Sequence, residues 1–439
     1  MTAPPLTLRW WNLEQTFTQV DAAREASPWP LDSPAGRKAA LWDVDGPTLT
    51  LTSHRPARAL LAHGLAPEQR YAVLPECEEN ERWQDSANGA VLMRIAHEVG
   101  AVQLAPCVWT RQAEMIARVL EKEQVAVEAE TPCPHGRVFY WNTRVGMRDL
   151  FLSIPALTDH LPPSLVCHDA AQVEIAAARL GQHDLLVKSN FALGGTGSVM
   201  LRAGKPYRRD WVEAIAARAP GKGNGKGKGK KTFAWAWREE PYVVERMVGN
   251  WRTNISVTLD ARQTATRTEI AGLSEQLIEG LAYRGIRSLD LRLETDYRPR
   301  LHTLAEAVGV GLAVRGFAGW FNLDFVLTRD GQCFLADLNV RRSAPLDLHM
   351  LVARIQQRSG RMSRYRAFEA FRTHLADEDA VNRSLETAGL AFDGATGVLP
   401  LRGPMAESDR THSLPVLLLA EDEPALDRLA AGLRRALGS

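Results

Sequence analysis

The sequence predicts an α/β fold built from two or three domains. Strand-like and helix-like segments alternate over the first 130 residues, which is typical of an open sheet of parallel strands. Further along, two apolar segments joined by Asp330-Gly331 indicate an antiparallel hairpin. The length of 439 residues corresponds to two or three domains at roughly 100–200 residues each.

The composition excludes several classes of protein. Lys plus Arg numbers 53 and Asp plus Glu 52, and five of the lysines fall in the run 221–231 (GKGNGKGKGKK), so the remainder lacks the broad basic surface of a nucleic-acid-binding protein. No apolar segment approaches the roughly 20 residues of a membrane span. The five cysteines include no C-x-x-C pair, which argues against a zinc ribbon and a disulfide framework. We therefore expect a cytoplasmic protein with no nucleic-acid and no membrane partner.

The first 130 residues supply the predicted parallel sheet. The predicted strands are 6–11, 41–52, 102–105 and 124–129, and the predicted helices are 86–99 and 110–122. Thr110 is the expected N-cap of the second helix. The segment TPCPHG at 131–136 combines two prolines with a glycine and indicates a domain boundary.

The rest of the chain contains further strands and helices around a glycine–lysine run. Asp169 and Gln172 have the spacing of a capping box at the start of a helix that ends at Gly181. The other predicted strands are 184–189, 199–202, 241–248, 254–259 and 414–420, and the other predicted helices are 210–218, 301–308 and 423–437. The run 221–231 cannot bury a core and is predicted to be a flexible insertion.

The hairpin around Asp330-Gly331 carries the most informative chemistry. A two-residue turn there pairs the strands symmetrically and places Asp324 opposite Asp337, with Cβ atoms roughly 4.5–5.5 Å apart. Asn339, two residues beyond Asp337, points to the same side. Facing carboxylates repel unless a cation lies between them, and two acids with one amide suit Mg²⁺. The alternative is a pair of solvent-exposed surface acids, and a one-residue bulge would break the register.

A lysine and a glycine-rich loop indicate a phosphate site. Lys188 lies in an apolar strand, where a buried ammonium is costly unless it meets an anion. The loop 194–198 (GGTGS) offers backbone N–H groups for phosphate oxygens. The alternative is an ordinary glycine hairpin with Lys188 at the sheet edge. The sequence contains no P-loop pattern, and a strand rather than a helix follows the loop, which argues against a dinucleotide fingerprint.

Taken in order, four segments of the sequence resemble the ATP-grasp superfamily. They are LLVKSNFALGGTGSVML (185–201), PYVVERMV (241–248), NISVTL (254–259) and GFAGWFNLDFVLTRDGQCFLADLNVRRS (316–343). The N-terminal third is similar to the pre-ATP-grasp domain of these enzymes, and the late segments GVLPL and LLLA resemble pheganomycin-type peptide ligases. The resemblance implies a Rossmann-like pre-ATP-grasp domain at 1–135, followed by a two-lobed ATP-grasp fold with a small lobe at 136–246 and a C-terminal lobe at 247–439.

The resemblance also implies roles for individual residues. The residues implied to bind ATP are Arg144, Lys188, Gly194, Gly195, Thr196, Gly197, Ser198, Glu245, Met247, Val248 and Asn254. The residues implied to bind the metal are Asp324, Asp337 and Asn339. The residues implied to act on the reacting groups are Lys188 and Arg341. Lys188 would bind the phosphates, Glu245 the adenine and Asn254 the ribose. Arg341 would contact phosphate or the acyl intermediate.

Three positions depart from the family's pattern. The second metal acid of the family is usually Glu, whereas this chain has the shorter Asp337. The pattern N-x-K here is Asn142-Thr143-Arg144, in which Arg144 keeps the charge without being equivalent to lysine. Asn322 occupies the position where some ligases carry an arginine for the tetrahedral intermediate, and Arg341 is expected to stabilise that intermediate instead.

The activity that the resemblance implies is an ATP-dependent carboxylate–amine ligase. The γ-phosphoryl group of ATP would pass to a carboxylate, and an amine would attack the acyl phosphate to give an amide, ADP and phosphate. ATP and Mg²⁺, with Mn²⁺ as an alternative metal, are the implied cofactors, and the implied substrates are a small-molecule carboxylate and an amine, either of them an amino acid or a peptide. A homodimer is one option for the assembly. The alternatives are an ATP-grasp kinase and a non-catalytic ATP-binding regulatory protein.

One further segment leaves two interpretations open. The stretch 274–288 contains Gln276, Tyr283 and Arg287 in a glycine-broken context. Analogy with the family places this loop near the phosphates or the substrate, and a plain connector is the alternative.

Overall fold

The computed structural model describes residues 5–10, 12, 48–52, 57–65, 71–73, 87–180, 183–190, 198–203, 241–249, 253–279, 282–408 and 410–438. Within these ranges the strands form a five-stranded, a four-stranded and a nine-stranded sheet. No helix in this part of the chain is both long and apolar enough to cross a bilayer. The predictions for the glycine loop at 194–197, for the helix at 210–218 and for the run at 221–231 lie outside the described residues.

The first sheet is parallel, as the alternation of strands and helices predicts. Its elements are β1 (Leu6–Trp10), β2 (Thr48–Thr52), α1 (Arg58–Ala62), β3 (Tyr71–Val73), α2 (Ala87–Val99), β4 (Ala101–Pro106), α3 (Arg111–Lys122) and β5 (Ala126–Ala129), in strand order β3-β2-β1-β4-β5. Helix α3 begins where the hydroxyl of Thr110 accepts a 3.3 Å hydrogen bond from the Ala113 N–H, which confirms the predicted N-cap. Strand β5 begins two residues later than predicted because Gln124, at φ 63°, turns the chain out of the helix.

The second sheet is antiparallel and follows two short helices. The elements are α4 (His135–Trp141), α5 (Arg144–Leu152), a 3₁₀ turn (Pro155–His160), β6 (Ser164–Cys167), α6 (Ala170–Leu180), β7 (Leu185–Ser189), β8 (Ser198–Leu201) and β9 (Tyr242–Arg246), in strand order β6-β9-β7-β8. The Asp169 carboxylate accepts from the Gln172 N–H at 2.8 Å, while the Gln172 side-chain oxygen accepts from the His168 N–H at 3.0 Å. The capping box is therefore confirmed, with its return bond made to the residue before the cap.

The third sheet is antiparallel and contains the predicted hairpin. Its elements are β10 (Ile255–Gln263), β11 (Thr268–Glu279), β12 (Ala282–Ser288), α7 (Leu291–Ala313), β13 (Gly319–Leu327), β14 (Cys333–Asn339), α8 (Ala344–Ser359), β15 (Arg364–Thr373), α9 (Glu378–Thr387), β16 (Gly397–Pro400), β17 (Met405–Ser408), β18 (Thr411–Ala420) and α10 (Glu423–Leu437). The strand order is β14-β13-β10-β11-β12-β15-β18-β16, with β17 beside β18. Helix α7 is far longer than the predicted 301–308, because it begins at the side-chain cap of Asp290 and continues through Pro299.

The first and third sheets share one apolar core. Trp10 of β1 belongs to the same contiguous buried cluster as Phe321 and Phe325 of β13, and each of the three is at most 1 % exposed. A buried ion pair lies at the same junction, where two nitrogens of Arg342 each approach a Glu130 oxygen at 2.6 Å. The hairpin is therefore anchored to the N-terminal sheet by apolar burial and by charge.

The turn of the β13–β14 hairpin differs from the predicted two-residue turn. Three residues lie between Thr328 and Gln332, and the Thr328 N–H donates to the Gln332 carbonyl at 3.0 Å. Gly331 closes this loop at φ 84°, a left-handed conformation that suits glycine. Leu327 consequently faces Cys333, one residue away from the predicted pairing. The prediction of the turn type was wrong.

A bulge restores the predicted register before the acids are reached. Phe325 faces Leu335 but Asp324 faces Asp337, so Ala336 is the extra residue on β14. The facing acids are confirmed, although two irregularities that cancel each other produce the pairing. Phe325 and Leu335 are buried on the opposite side, as predicted.

Candidate active site

The two facing acids have different partners. The Asp324 Oδ1 accepts a 2.9 Å hydrogen bond from the side-chain amide of Gln276 on β11. The Asp337 carboxylate forms an ion pair with Arg144, at the start of α5. The guanidinium therefore neutralises one acid and leaves the other without a paired cation among the described residues.

The pKa values reflect this asymmetry. Burial and the nearby Asp337 charge raise the pKa of Asp324 from 3.8 to about 7. Burial opposes the charged form of Arg144, but the Asp337 carboxylate outweighs it and raises the pKa of the guanidinium. Asp324 therefore ionises only near neutral pH, and a divalent cation beside it would favour the ionised form of this carboxylate.

The segment Asn142-Thr143-Arg144 holds Arg144 in place. The Thr143 hydroxyl accepts from the Gly146 N–H at 2.9 Å and caps α5. The Asn142 side chain clamps the backbone of Val340, because its oxygen accepts the Val340 N–H at 3.0 Å and its nitrogen donates to the carbonyl at 3.2 Å. Within this segment, Asn142 therefore holds the backbone of Val340, Thr143 caps α5 and Arg144 pairs with Asp337.

Lys188 joins the four-stranded sheet to the hairpin. Its ammonium lies 2.7 Å from Glu245 Oε1 on β9, and both side chains are about nine-tenths buried. It also lies 3.4 Å from the carbonyl of Ala336, the bulged residue beside Asp337. Ser198, at the far end of the glycine loop, pairs with Lys188 across β7 and β8. The lysine, the loop end and the acid pair therefore meet at one place.

Asn339 and Arg341 complete this group. The Arg341 guanidinium donates to the Asn339 side-chain oxygen at 2.6 Å and to the Arg342 carbonyl at 3.1 Å. Burial lowers the pKa of Arg341, although the carboxylates of Asp337 and Asp324 lie close enough to oppose this. An arginine, a lysine and two acids thus converge on one side of the hairpin.

The residues implied to bind adenine and ribose lie at the end of β9, just after it and directly before β10. The Met247 N–H donates to the Asp184 carbonyl at 2.9 Å, and the Val248 carbonyl accepts from the Asn254 amide at 2.6 Å. The Glu245 Oε1 is occupied by Lys188. Adenine and ribose binding by these residues stays a prediction, and it requires the backbone groups of Met247 and Val248 to exchange partners.

The prediction that 274–288 is a loop was wrong, although Gln276 does bring this segment beside the acid pair. The segment forms strands β11 and β12, which pair antiparallel. Gln276 bonds Asp324 on one side of the sheet, and Arg287 pairs with Glu275 at 2.7 Å. The Tyr283 hydroxyl is buried without a hydrogen-bond partner among the described residues. Sequence reasoning named Gln276 without a role, and only the strand order places it beside the acid.

The donor set suits Mg²⁺ better than a transition metal. Among the described residues, no three His, Cys, Asp or Glu side chains cluster as a metal site. Two carboxylates and an amide oxygen leave room for phosphate oxygens, which is how Mg²⁺ is usually bound. Asp324, Asp337 and Asn339 therefore fit a magnesium ion shared with a phosphorylated ligand.

Solved structures share this fold over almost the whole chain. An N5-carboxyaminoimidazole ribonucleotide synthetase from Thermus thermophilus matches with a TM-score of 0.54 and 13% identity, over 99% of each chain. The biotin carboxylase domain of the 2-oxoglutarate carboxylase from Hydrogenobacter thermophilus, in complex with MgADP, ADP and bicarbonate, matches with a TM-score of 0.56 and 11% identity, over 99% of this chain and 90% of that one.

A third structure agrees with these two. The N5-carboxyaminoimidazole synthetase from Staphylococcus aureus, complexed with ADP, matches with a TM-score of 0.52 and 10% identity over 99% of each chain. No protein-family model and no curated protein matches the sequence. The structural similarity confirms the ATP-grasp fold that the sequence resemblance implies, and at these identities it shows the fold alone.

Proposed function

We propose that the protein is an ATP-dependent carboxylate–amine ligase that forms an amide bond through an acyl phosphate. The observation that carries the proposal is the convergence of Lys188, Arg341 and the pair Asp324–Asp337 at one side of the hairpin. The proposed domains are 1–135, 136–246 and 247–439, with ATP between the last two. Two of the similar structures, the Staphylococcus aureus synthetase and the biotin carboxylase domain, contain ADP or MgADP, which supports the same nucleotide here.

The residues divide the chemistry between them. Mg²⁺, held by Asp324, Asp337 and Asn339, would neutralise the phosphate oxygens when it is bound. Lys188 would exchange Glu245 for a phosphate oxygen and hold the γ-phosphoryl group against the incoming carboxylate. Arg341 would orient that carboxylate and stabilise the charge that develops on the carbonyl oxygen during amine attack.

The substrates belong to the same proposal. The likeness to peptide ligases favours an amino acid or a short peptide as carboxylate, with a second amino acid as amine, in the cytoplasm. Bicarbonate is the competing carboxylate, since one structural neighbour contains it together with MgADP. We therefore propose an amino acid or a peptide as the carboxylate substrate, and the experiment includes bicarbonate as the competing substrate.

Hydroxylamine trapping tests the proposal. The protein is incubated with Mg²⁺-ATP, hydroxylamine and either pooled amino acids, pooled dipeptides or bicarbonate, and both ADP and hydroxamate are measured. We expect hydroxamate and ADP with one of the first two pools, with ADP at least equal to hydroxamate because amines in the pool also consume the acyl phosphate. Neither product should form with the Asp324→Asn control. ADP without hydroxamate would indicate a kinase, ADP with bicarbonate alone a carboxylating enzyme, and no ADP under any condition a nucleotide-binding regulator.

A further inference from the structure

A buried chain of polar side chains runs behind the acid pair. Asp260 Oδ2 lies 2.8 Å from His349 Nδ1, and His349 Nε2 lies 2.9 Å from the Ser274 hydroxyl. Asp, His and Ser in this order form the triad of many hydrolases. Here the three residues are 1 %, 4 % and 0 % exposed, so no substrate reaches the serine. The chain must therefore act on its neighbours rather than on a ligand.

Its first neighbour toward the site is Asn322, whose amide it orients. The Asn322 Nδ2 lies 2.7 Å from the Thr258 hydroxyl, 3.2 Å from the Leu259 carbonyl and 3.1 Å from Asp260 Oδ1. A carbonyl and a carboxylate can only accept hydrogen bonds. The nitrogen of Asn322 must therefore face them, and its oxygen must point the other way.

The orientation passes from Asn322 to Asn339. Asn322 Oδ1 lies 3.1 Å from Asn339 Nδ2. Because an amide oxygen only accepts, Asn339 must turn its nitrogen toward Asn322 and its oxygen away. That oxygen lies 2.6 Å from Arg341, which can only donate, so the orientation is satisfied at both ends.

We propose that Asn322 is a positioning residue that transmits the fixed orientation of Asp260 to Asn339. The amide oxygen of Asn339 thereby faces Arg341, and an oxygen rather than an N–H group is what a divalent cation at the proposed site requires. Without Asn322, the Asn339 nitrogen would lose its acceptor and only the Arg341 hydrogen bond would orient the amide, so its oxygen would be held less firmly for the cation. The inference rests on the proposed function, because Mg²⁺-ATP is the ligand that it serves.

A double-mutant cycle tests this transmission. Asn322→Ala, Asn339→Ala and the double variant are titrated with Mg²⁺ at fixed ATP by calorimetry, which reports binding without turnover. We expect Asn322→Ala to raise the half-saturating Mg²⁺ concentration about 10-fold, the lower end of the range for residues that orient metal ligands. In the Asn339→Ala background, Asn322→Ala should change the half-saturating Mg²⁺ concentration very little, because the amide that Asn322 orients is then absent.

A matched control separates orientation from stability. Gln263 is a buried amide on the same strand β10, and it bonds Thr268 and Thr264 instead of the acid pair. Gln263→Ala should lower the melting temperature and leave the Mg²⁺ titration unchanged. Should Asn322→Ala not fold, Asn322→Ser replaces it in the cycle, since a single hydroxyl cannot bond both the acceptors on β10 and the Asn339 amide.

The outcomes distinguish the inference from the function on which it rests. Additive effects of Asn322→Ala and Asn339→Ala on the Mg²⁺ titration would overturn the transmission and make Asn322 a purely structural residue. An equal loss of Mg²⁺ affinity in Gln263→Ala would overturn it as well. A wild-type protein whose ATP binding does not depend on Mg²⁺ would instead overturn the proposed metal site, and the inference with it.

Discussion

Replacing Asp324 by asparagine is expected to stabilise the ligand-free protein at neutral and alkaline pH. In the folded protein the pKa of Asp324 is raised from 3.8 to about 7 by burial and by the Asp337 charge. Between about pH 4 and 7 the folded state holds a proton that the unfolded state has released, so the free energy of unfolding falls as the pH rises. Above pH 7 the full electrostatic cost is present. Asparagine does not titrate and removes it.

The magnitude follows from the size of the shift and from the surroundings of the carboxylate. At 1.36 kcal/mol per pKa unit, the cost has an upper bound of about 4 kcal/mol. Solvent reaches part of the site, and asparagine keeps an oxygen for the Gln276 hydrogen bond, so we expect a gain of about 1–3 kcal/mol at pH 8. The gain should shrink steadily as the pH is lowered to 4.5.

Urea unfolding in the presence of EDTA, at pH 4.5 and pH 8, measures this difference. Asp337→Asn is the matched control, because it removes an equal charge from the facing position but leaves Arg144 buried without its main partner. The control should be less stable than wild type by about 3 kcal/mol at pH 4.5. At pH 8 its loss should be smaller, because removal of the Asp337 charge also relieves the ionised Asp324. An Asp324→Asn protein that is less stable than wild type at pH 8, or equally affected at both pH values, would refute the reasoning.

Two further predictions concern buried ion pairs. Lys188→Met should raise the KM for ATP and lower kcat by at least about 10-fold, or about 1.4 kcal/mol, and it should also destabilise the fold because Glu245 remains buried. Adding Glu245→Gln to Lys188→Met should restore the thermal stability but not the activity, as measured by melts and steady-state kinetics. If that folded double variant keeps the wild-type KM for ATP and kcat, the phosphate site lies elsewhere. Arg342→Met should lower the free energy of unfolding by about 3–5 kcal/mol, and adding Glu130→Gln should recover most of this loss. Denaturant titrations measure both. A double variant that is no more stable than Arg342→Met would mean that the two charges are uncoupled.

The sequence predicts local elements well where end signals are present. Helix α10 spans the predicted 423–437, because Asp422 caps it and accepts from the Ala425 N–H at 2.7 Å. The sequence predicts helix α7 only from residue 301, because Pro299 is unfavourable inside a helix and argues against the ten residues that precede 301. The hairpin acids were placed correctly, since an extra turn residue and an extra strand residue compensate each other.

The polar partners of the site could not be predicted in the same way. Arg144 and Asp337 lie on different elements far apart in the chain, and so do Lys188 and Ala336. Such contacts depend on how whole sheets pack, which hydrophobic periodicity does not encode. From the sequence alone the two acids are equivalent, whereas in the structure Arg144 pairs with Asp337 and not with Asp324. The segment Asn142-Thr143-Arg144 was the available signal for this partner.

Transfer of a labelled oxygen from the substrate carboxylate to phosphate is a direct test of the acyl phosphate. In the proposed reaction a carboxylate oxygen attacks the γ-phosphorus, and amine attack then breaks the acyl C–O bond, so that oxygen leaves on inorganic phosphate. The carboxylate that supports ADP release is labelled with ¹⁸O on both oxygens, and the phosphate is analysed by mass spectrometry. We expect one ¹⁸O atom in each phosphate that is released together with amide product. Unlabelled phosphate alongside amide formation would contradict the acyl phosphate and the function proposed for Lys188, Arg341 and the facing acids.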